Sequence, residues 1–220
     1  MKPALLVLMS VFVAACATRG PATEEPHALA CGRIRIVANG EDVAWGAAFD
    51  RPTPELYHAK SRRFVNRIAL AGGGLFAEAV ERDGSFCWRL GRGTYFVSRI
   101  VPFQDSAPAR PDDPSAIVFP GVAFKLDEDT RAAYVGTLRI SVSVRTHLMG
   151  QRRIVGRPSV EVVDEFDRDR SLAKDGRTVE LRKNLMVRIP ELEGMAFHPE
   201  VPDLPALLRD VPWFLFTPRR

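Results

Sequence analysis

Residues 138–145 alternate without a break. Leu138, Ile140, Val142 and Val144 point one way; Arg139, Ser141, Ser143 and Arg145 point the other. A period of two gives a β-strand one dry face and one wet face, whereas helical side chains repeat every 3.6 residues. A strand of this kind must find a second layer for its dry side. The chain offers several partners. Arg33–Val37 places Ile34 and Ile36 inward, and Ser85–Leu90 does the same with Phe86, Trp88 and Leu90. Weaker strands are expected at Val43–Phe49 around Trp45, at Phe64–Leu70 (Phe64, Ile68 and Leu70 on one face), and at Leu75–Glu81. Others are expected at Ile117–Phe119, Val122–Leu126 and Ser159–Val163. In Thr94–Val101 both Tyr95/Val97 and Phe96/Ile100 are apolar, which predicts a strand covered on both faces. Asp83-Gly84 and Gly91-Arg92-Gly93 supply turns, and the proline-rich 104–116 a loop. About nine short strands predict an all-β sandwich over residues 31–163. Residues 164–220 lose the alternation. Asp164–Ala173 and Thr178–Val187 are expected as short helices, Asp203 as a cap for a turn through Leu208, and Trp213–Phe216 as a segment packed on the sandwich.

The N-terminus has a different character. Lys2 precedes Leu5–Val13, an apolar run interrupted only by Ser10 and ending Val13-Ala14-Ala15-Cys16. The run is shorter than the roughly 20 residues a membrane span needs, and its layout is that of a secretory signal over residues 1–15. Val13-Ala14-Ala15-Cys16 resembles the lipobox of bacterial lipoproteins. The resemblance implies cleavage before Cys16 and diacylation of its sulfur; an ordinary signal peptide with a chance cysteine is the competing reading. Two or three acyl chains hold far more firmly than the single chain that gives only marginal binding. Ala17, where an aspartate often retains such proteins in the inner membrane, implies the outer membrane and its periplasmic face, with surface display open. Residues 16–30 then read as the lipidated cysteine and a tether.

Cys31 and Cys87 remain, so one pairing is available. An oxidising compartment would favour a disulfide, and two separate thiols are the alternative. With 31 basic and 27 acidic residues the net charge is +4, a mild balance with no concentrated basic tract of the kind nucleic acid requires. No nucleophile elbow or paired-histidine metal helix occurs. His27, His58, His147 and His198 are scattered and read as surface residues rather than zinc ligands. Asp164, Glu165, Asp167 and Asp169 invite calcium, yet Arg168 and Arg170 interleave with them. An Asp164–Arg168 pair on a solvated helix face is the better reading. Asp127-Glu128-Asp129 reads as a turn. Trp45, Tyr57 and Trp213 suit core packing better than a ligand pocket. No catalytic residue, metal or cofactor is expected.

The segment 83–95 resembles the hallmark hairpin of carboxypeptidase-regulatory-like, or transthyretin-like, β-sandwich domains. Gly84, Phe86, Trp88, Leu90, Gly93 and Tyr95 match, while Arg92 replaces the usual proline and Leu90 lies one place closer to Phe86 than in many members. Phe119–Phe124 and Tyr134–Leu138 resemble segments of bacterial lipoproteins built on this sandwich. The resemblance spans about residues 32–145 and implies a module that stabilises, attaches or presents other domains. If Arg33, Arg35, Arg139 and Arg145 stood on neighbouring strands, they would make a basic face for phosphates or an acidic partner; a solubilising strand surface is the plainer use. The expected function is therefore a membrane-anchored, non-enzymatic binding or scaffold module with a protein partner in the envelope. A carrier of a lipid or saccharide is the alternative.

Overall fold

The alternating segment is β9 (Ala132–Thr146), the longest strand in a computed structural model that describes residues 27–45, 51–65, 69–70, 80–103, 105, 113–147, 150–170 and 180–194. Before it come β1 (Ala28–Ala38), β2 (Glu41–Asp42), β3 (Thr53–His58), β4 (Arg63–Val65), β5 (Ala69–Leu70), β6 (Ser85–Leu90), β7 (Gly93–Val101) and β8 (Val122–Leu126). After it come β10 (Arg152–Val163), the single helical turn α1 (Phe166–Asp169), β11 (Arg182–Lys183) and β12 (Val187–Arg188). The described residues form an all-β fold of two sheets. One runs β10-β9-β1-β6-β5, with β2 on β1 and β11 on β9; the other runs β12-β8-β7-β3-β4.

The centre of the larger sheet is the parallel pair β1 and β9, in the register Ile34↔Leu138, Arg35↔Arg139 and Ile36↔Ile140. The opposite edge of β1 is shared by β6 and β2, and that of β9 by β10 and β11. Matching parity sends Ile34, Ile36, Leu138 and Ile140 inward together, and all four are buried. They meet Phe86 and Trp88, stacked at 3.7 Å between ring centroids, and from the other sheet Leu56, Val97, Phe124 and Tyr95. Aromatic stacking of this kind adds to the area that burial removes from water. β7 is covered on both sides. Tyr95 and Val97 face the shared core, while Phe96 packs outside with Tyr57, Ala123, Ile189 and Leu192, the last from a 3-10 turn at Pro190–Leu192. The double parity of Thr94–Val101 has that cause.

Several expectations change. The segment 16–30 is not tether to its end, because Ala28 already pairs with Leu90 in β1. β10 is not confined to residues 159–163; it begins at Arg152 and carries a register shift between Val155 and Ser159. Phe64–Leu70 is not one strand: β4 belongs to the smaller sheet and β5 to the larger. Val43–Trp45 are not strand, although Trp45 is buried, and Ile117–Phe119 makes only the bridge Val118↔Ile100. The described part of the extension, residues 164–170 and 180–194, adds a short strand to each sheet instead of being helical throughout. Thr178–Val187 supplies β11, because β10 ends at Val163 opposite Thr137 and leaves the edge of β9 at Ala133 and Tyr134 open for another ladder. Of the helix expected at Asp164–Ala173, the described residues 164–170 form one turn, Phe166–Asp169, and the rest lies outside the described residues. Residues 1–26, which include the leader and Cys16, lie outside the described residues. So do most of Leu75–Glu81 and all of Asp203–Leu208 and Trp213–Phe216.

β1 and β9 touch closely where β1 shifts register between Cys31 and Gly32. A Cβ on Gly32 would lie 2.3 Å from the carbonyl oxygen of Gly136. That space admits only hydrogen. Gly32→Ala should lower the free energy of unfolding by about 1–3 kcal/mol, read as an earlier urea midpoint with an unchanged slope.

Candidate functional site

The outer face of the larger sheet holds most of the polar chemistry. At its β1 end Cys31 and Cys87 stand opposite each other on β1 and β6 and are joined by a disulfide. Around them lie Leu29, Ala132, Tyr134, Phe166, Leu181 and Leu185. The roof over this part of the sheet is thus α1 and the segment leading into and out of β11. Phe166 packs on Tyr134 at 5.4 Å between centroids, and the Tyr134 hydroxyl accepts the Glu165 N–H at 2.9 Å.

Beside this apolar patch is a network of charges. The Asp169 carboxylate is fully buried and accepts from Arg33 Nε at 2.8 Å and Arg168 Nε at 2.9 Å. Arg33 also donates from Nη1 to the Asp83 backbone and carboxylate, each at 2.8 Å. Arg35 reaches Asp42 and, at 3.5 Å, Glu165. Glu165 in turn accepts from Thr137 at 2.6 Å and from both Arg168 Nη atoms. A buried charge without partners is strongly unfavourable, and here Arg33 and Arg35 meet carboxylates from other elements while Arg168 meets those of its own turn. At Asp83, burial works to raise the pKa. Hydrogen bonds from the Ser85 hydroxyl, Arg33 and the Ser85 N–H outweigh it and hold the carboxyl at about 2.

The four arginines read as a basic face are therefore not one. Arg33, Arg35 and Arg139 do stand near one another, on β1 and β9. Arg33 and Arg35 are neutralised under the extension, and Arg139 lies 3.9 Å from its cross-strand neighbour Glu161. Arg145 is exposed at the far end of β9, six residues or about 20 Å from Arg139. The solvated Asp164–Arg168 pair is also replaced. Asp164 binds Lys183, and Arg168 binds Glu165 and Asp169. No local signal marked Asp169, because its partner Arg33 is 136 residues away.

Elsewhere, His58 is half-buried rather than a loose surface residue. Its Nε2–H donates to the Arg92 carbonyl at 3.2 Å, leaving Nδ1 to accept the Ser61 hydroxyl at 2.8 Å, and the ring stacks on Tyr95 at 4.8 Å. A Cβ on Gly93, whose φ is +140, would meet Nε2 at 2.3 Å. Ser61 is exposed within the β3–β4 turn, so the contact fixes the turn. His27 and His147 are exposed, and His198 lies outside the described residues. Trp45 and Tyr57 are buried in separate clusters. Among the described residues no three His, Cys, Asp or Glu side chains gather as metal ligands do. No family model, curated protein or solved structure matches the chain.

Breaking a buried pair leaves a charge stranded, whereas exposed pairs contribute little. Asp169→Asn should therefore destabilise the fold by about 3 kcal/mol. Asp167→Ala, which removes only the exposed pair with Arg170, should cost under about 0.5 kcal/mol. Urea unfolding at neutral pH measures both. Asp83 adds a pH signature. A carboxyl whose folded pKa is depressed stabilises above its unfolded value, near 4, and that contribution fades as pH falls toward about 2. Asp83→Asn should thus melt earlier than the parent at pH 7, with the difference shrinking across this acid window.

Proposed function

We propose that this chain is an exported lipoprotein held to a membrane by acyl chains on Cys16. Its β domain serves as a non-enzymatic binding or scaffold module for a protein partner in the bacterial envelope, at the periplasmic face of the outer membrane. One observation carries the address. Beyond the leader and Cys16 the chain has only Cys31 and Cys87, and the fold sets them opposite each other and joins them. Disulfides persist in oxidising compartments and are rare in the cytosol. The pairing and the leader thus agree, though they come from unrelated parts of the sequence.

A transthyretin-like arrangement is part of the proposal. It is supported by residues 83–95, which form a corner between the sheets rather than a hairpin, since β6 and β7 belong to different sheets: Phe86, Trp88 and Leu90 face the core, and the Tyr95 hydroxyl donates to the Gly91 carbonyl at 3.0 Å across the corner. Arg92, in the place of the family's proline, donates to the Asp127 carbonyl at 2.6 Å and stiffens that corner by another route. A scaffold role suits a domain in which the charges beneath α1, on the outer face of the larger sheet, are spent on one another. Among the described residues no helix is long and apolar enough to cross a membrane, so in this reading attachment rests on Cys16.

The full chain expressed in a bacterium with labelled palmitate should carry the label and sediment with membranes, while Cys16→Ser should do neither. Retention of Met1 in the exported protein, or label on the Cys16→Ser variant, would overturn the anchor. Free thiols at Cys31 and Cys87 in protein purified without reductant would remove the observation on which the address rests.

A further inference from the structure

We infer that the turn between β3 and β4 is a docking element for an anionic membrane surface, an orientation that rests on the lipid-anchor reading. The turn and its flank read Lys60-Ser61-Arg62-Arg63, and all four residues are exposed. Among the described residues no carboxylate pairs with Lys60, Arg62 or Arg63. They differ in this from Arg33, Arg35, Arg99, Arg168, Arg182 and Arg188, each held by an acid.

The turn is held in shape. Ser61 is fixed on His58, His58 on the Arg92 carbonyl, and the Ala59 N–H on the Thr94 carbonyl at 2.9 Å. Beneath it Tyr57 and Phe64 meet edge to face at 5.3 Å. A surface ordered beforehand loses less entropy when it binds.

Its place in the fold matters as much. Ala28, where β1 begins, pairs with Leu90 at the end of β6; three residues later, at Gly93, the chain opens β7, whose Tyr95 pairs with His58. The basic turn and the first residue of β1 therefore lie at the same end of the two sheets. Twelve residue steps separate Cys16 from Ala28, which limits their separation to about 40 Å. An anchor at Cys16 keeps this end near the headgroups. The acidic turn Asp127–Asp129 is at the same end, but Asp127 pairs with Lys125 and Asp129 with Arg182. Of the three, only Glu128 has no basic partner among the described residues. β8 is two strand spacings from β3, about 10 Å, which is on the order of the screening length at physiological salt.

Each basic residue near an anionic surface strengthens partition about fivefold, so three give about a hundredfold. The test uses the full chain carrying Cys16→Ser, so that no acyl chain contributes. Its sedimentation is measured with vesicles of phosphatidylglycerol and phosphatidylcholine, and with phosphatidylcholine alone. Binding should require phosphatidylglycerol and weaken with salt. The triple change Lys60→Ser, Arg62→Asn, Arg63→Ser should reduce it about a hundredfold without moving the melting temperature; asparagine suits the left-handed backbone at Arg62, where φ is 53. Arg145→Ser and Arg157→Ser, remote exposed cations, should leave it unchanged. Equal binding by the triple variant and its parent, or equal binding to both vesicles, would overturn the inference. The outcome is independent of palmitate labelling. A chain that binds these vesicles yet takes up no palmitate would overturn the anchor and keep the docking surface.

Discussion

An arginine in the middle of a covered strand obliges the chain to bring a carboxylate to it. β1 carries two, Arg33 and Arg35, alternating with the core residues Ile34 and Ile36. The strand is flanked by ladders on both edges and roofed on its outer side. Under that roof Arg33 and Arg35 keep only 14% and 34% of their side chains exposed, and the lost hydration has to be replaced by carboxylates. Asp169 answers from α1 and Glu165 from the residue before it, Asp83 from the turn before β6, and Asp42 from β2. The remainder of the extension follows from that closure. α1 lies where its acids meet β1, Phe166 fills the space above Tyr134, and β11 continues along β9.

Charge pairing of this kind selects an arrangement more than it adds stability, since a well-packed apolar substitute can do as well energetically. A roof held only by Phe166, Leu181 and Leu185 could slide along the sheet. A roof that must place Asp169 between Arg33 and Arg168 cannot. The sheet and its cover are therefore locked in one register, and the disulfide beneath them lies in the same protected layer.

Alternation made much of this architecture legible. It marked the inward residues of β1, β6 and β9, and the twofold parity of β7 announced cover on both faces before any partner was known. Periodicity names a face, but it cannot say what lies against that face. For that reason Arg33 and Arg35 read as wet when they are roofed, and Asp169 read as solvated when it is fully buried. Local pattern also fails where the chain changes sheets. Phe64 to Leu70 keeps its apolar spacing across a crossing from β4 to β5. The Lys60–Arg63 turn went unmarked because its signal is the absence of an acid partner among the described residues, which only the paired arginines elsewhere make visible. Cys16 and the leader rest on the sequence alone.

The strand β1, which begins the described β fold, is also one of the two central strands of the larger sheet, and this has a mechanical consequence. A pull on the chain ahead of Ala28 acts along the axis of β1. Its ladders with β9 and β6 are then loaded side by side in shear, and do not peel open one bond at a time. Three residues in, the covalent link from Cys31 to Cys87 passes the tension sideways into β6. Forced unfolding is governed by the barrier to rupture rather than by equilibrium stability. A domain fastened through this strand should hold its shape under tension well beyond what its net folding free energy suggests.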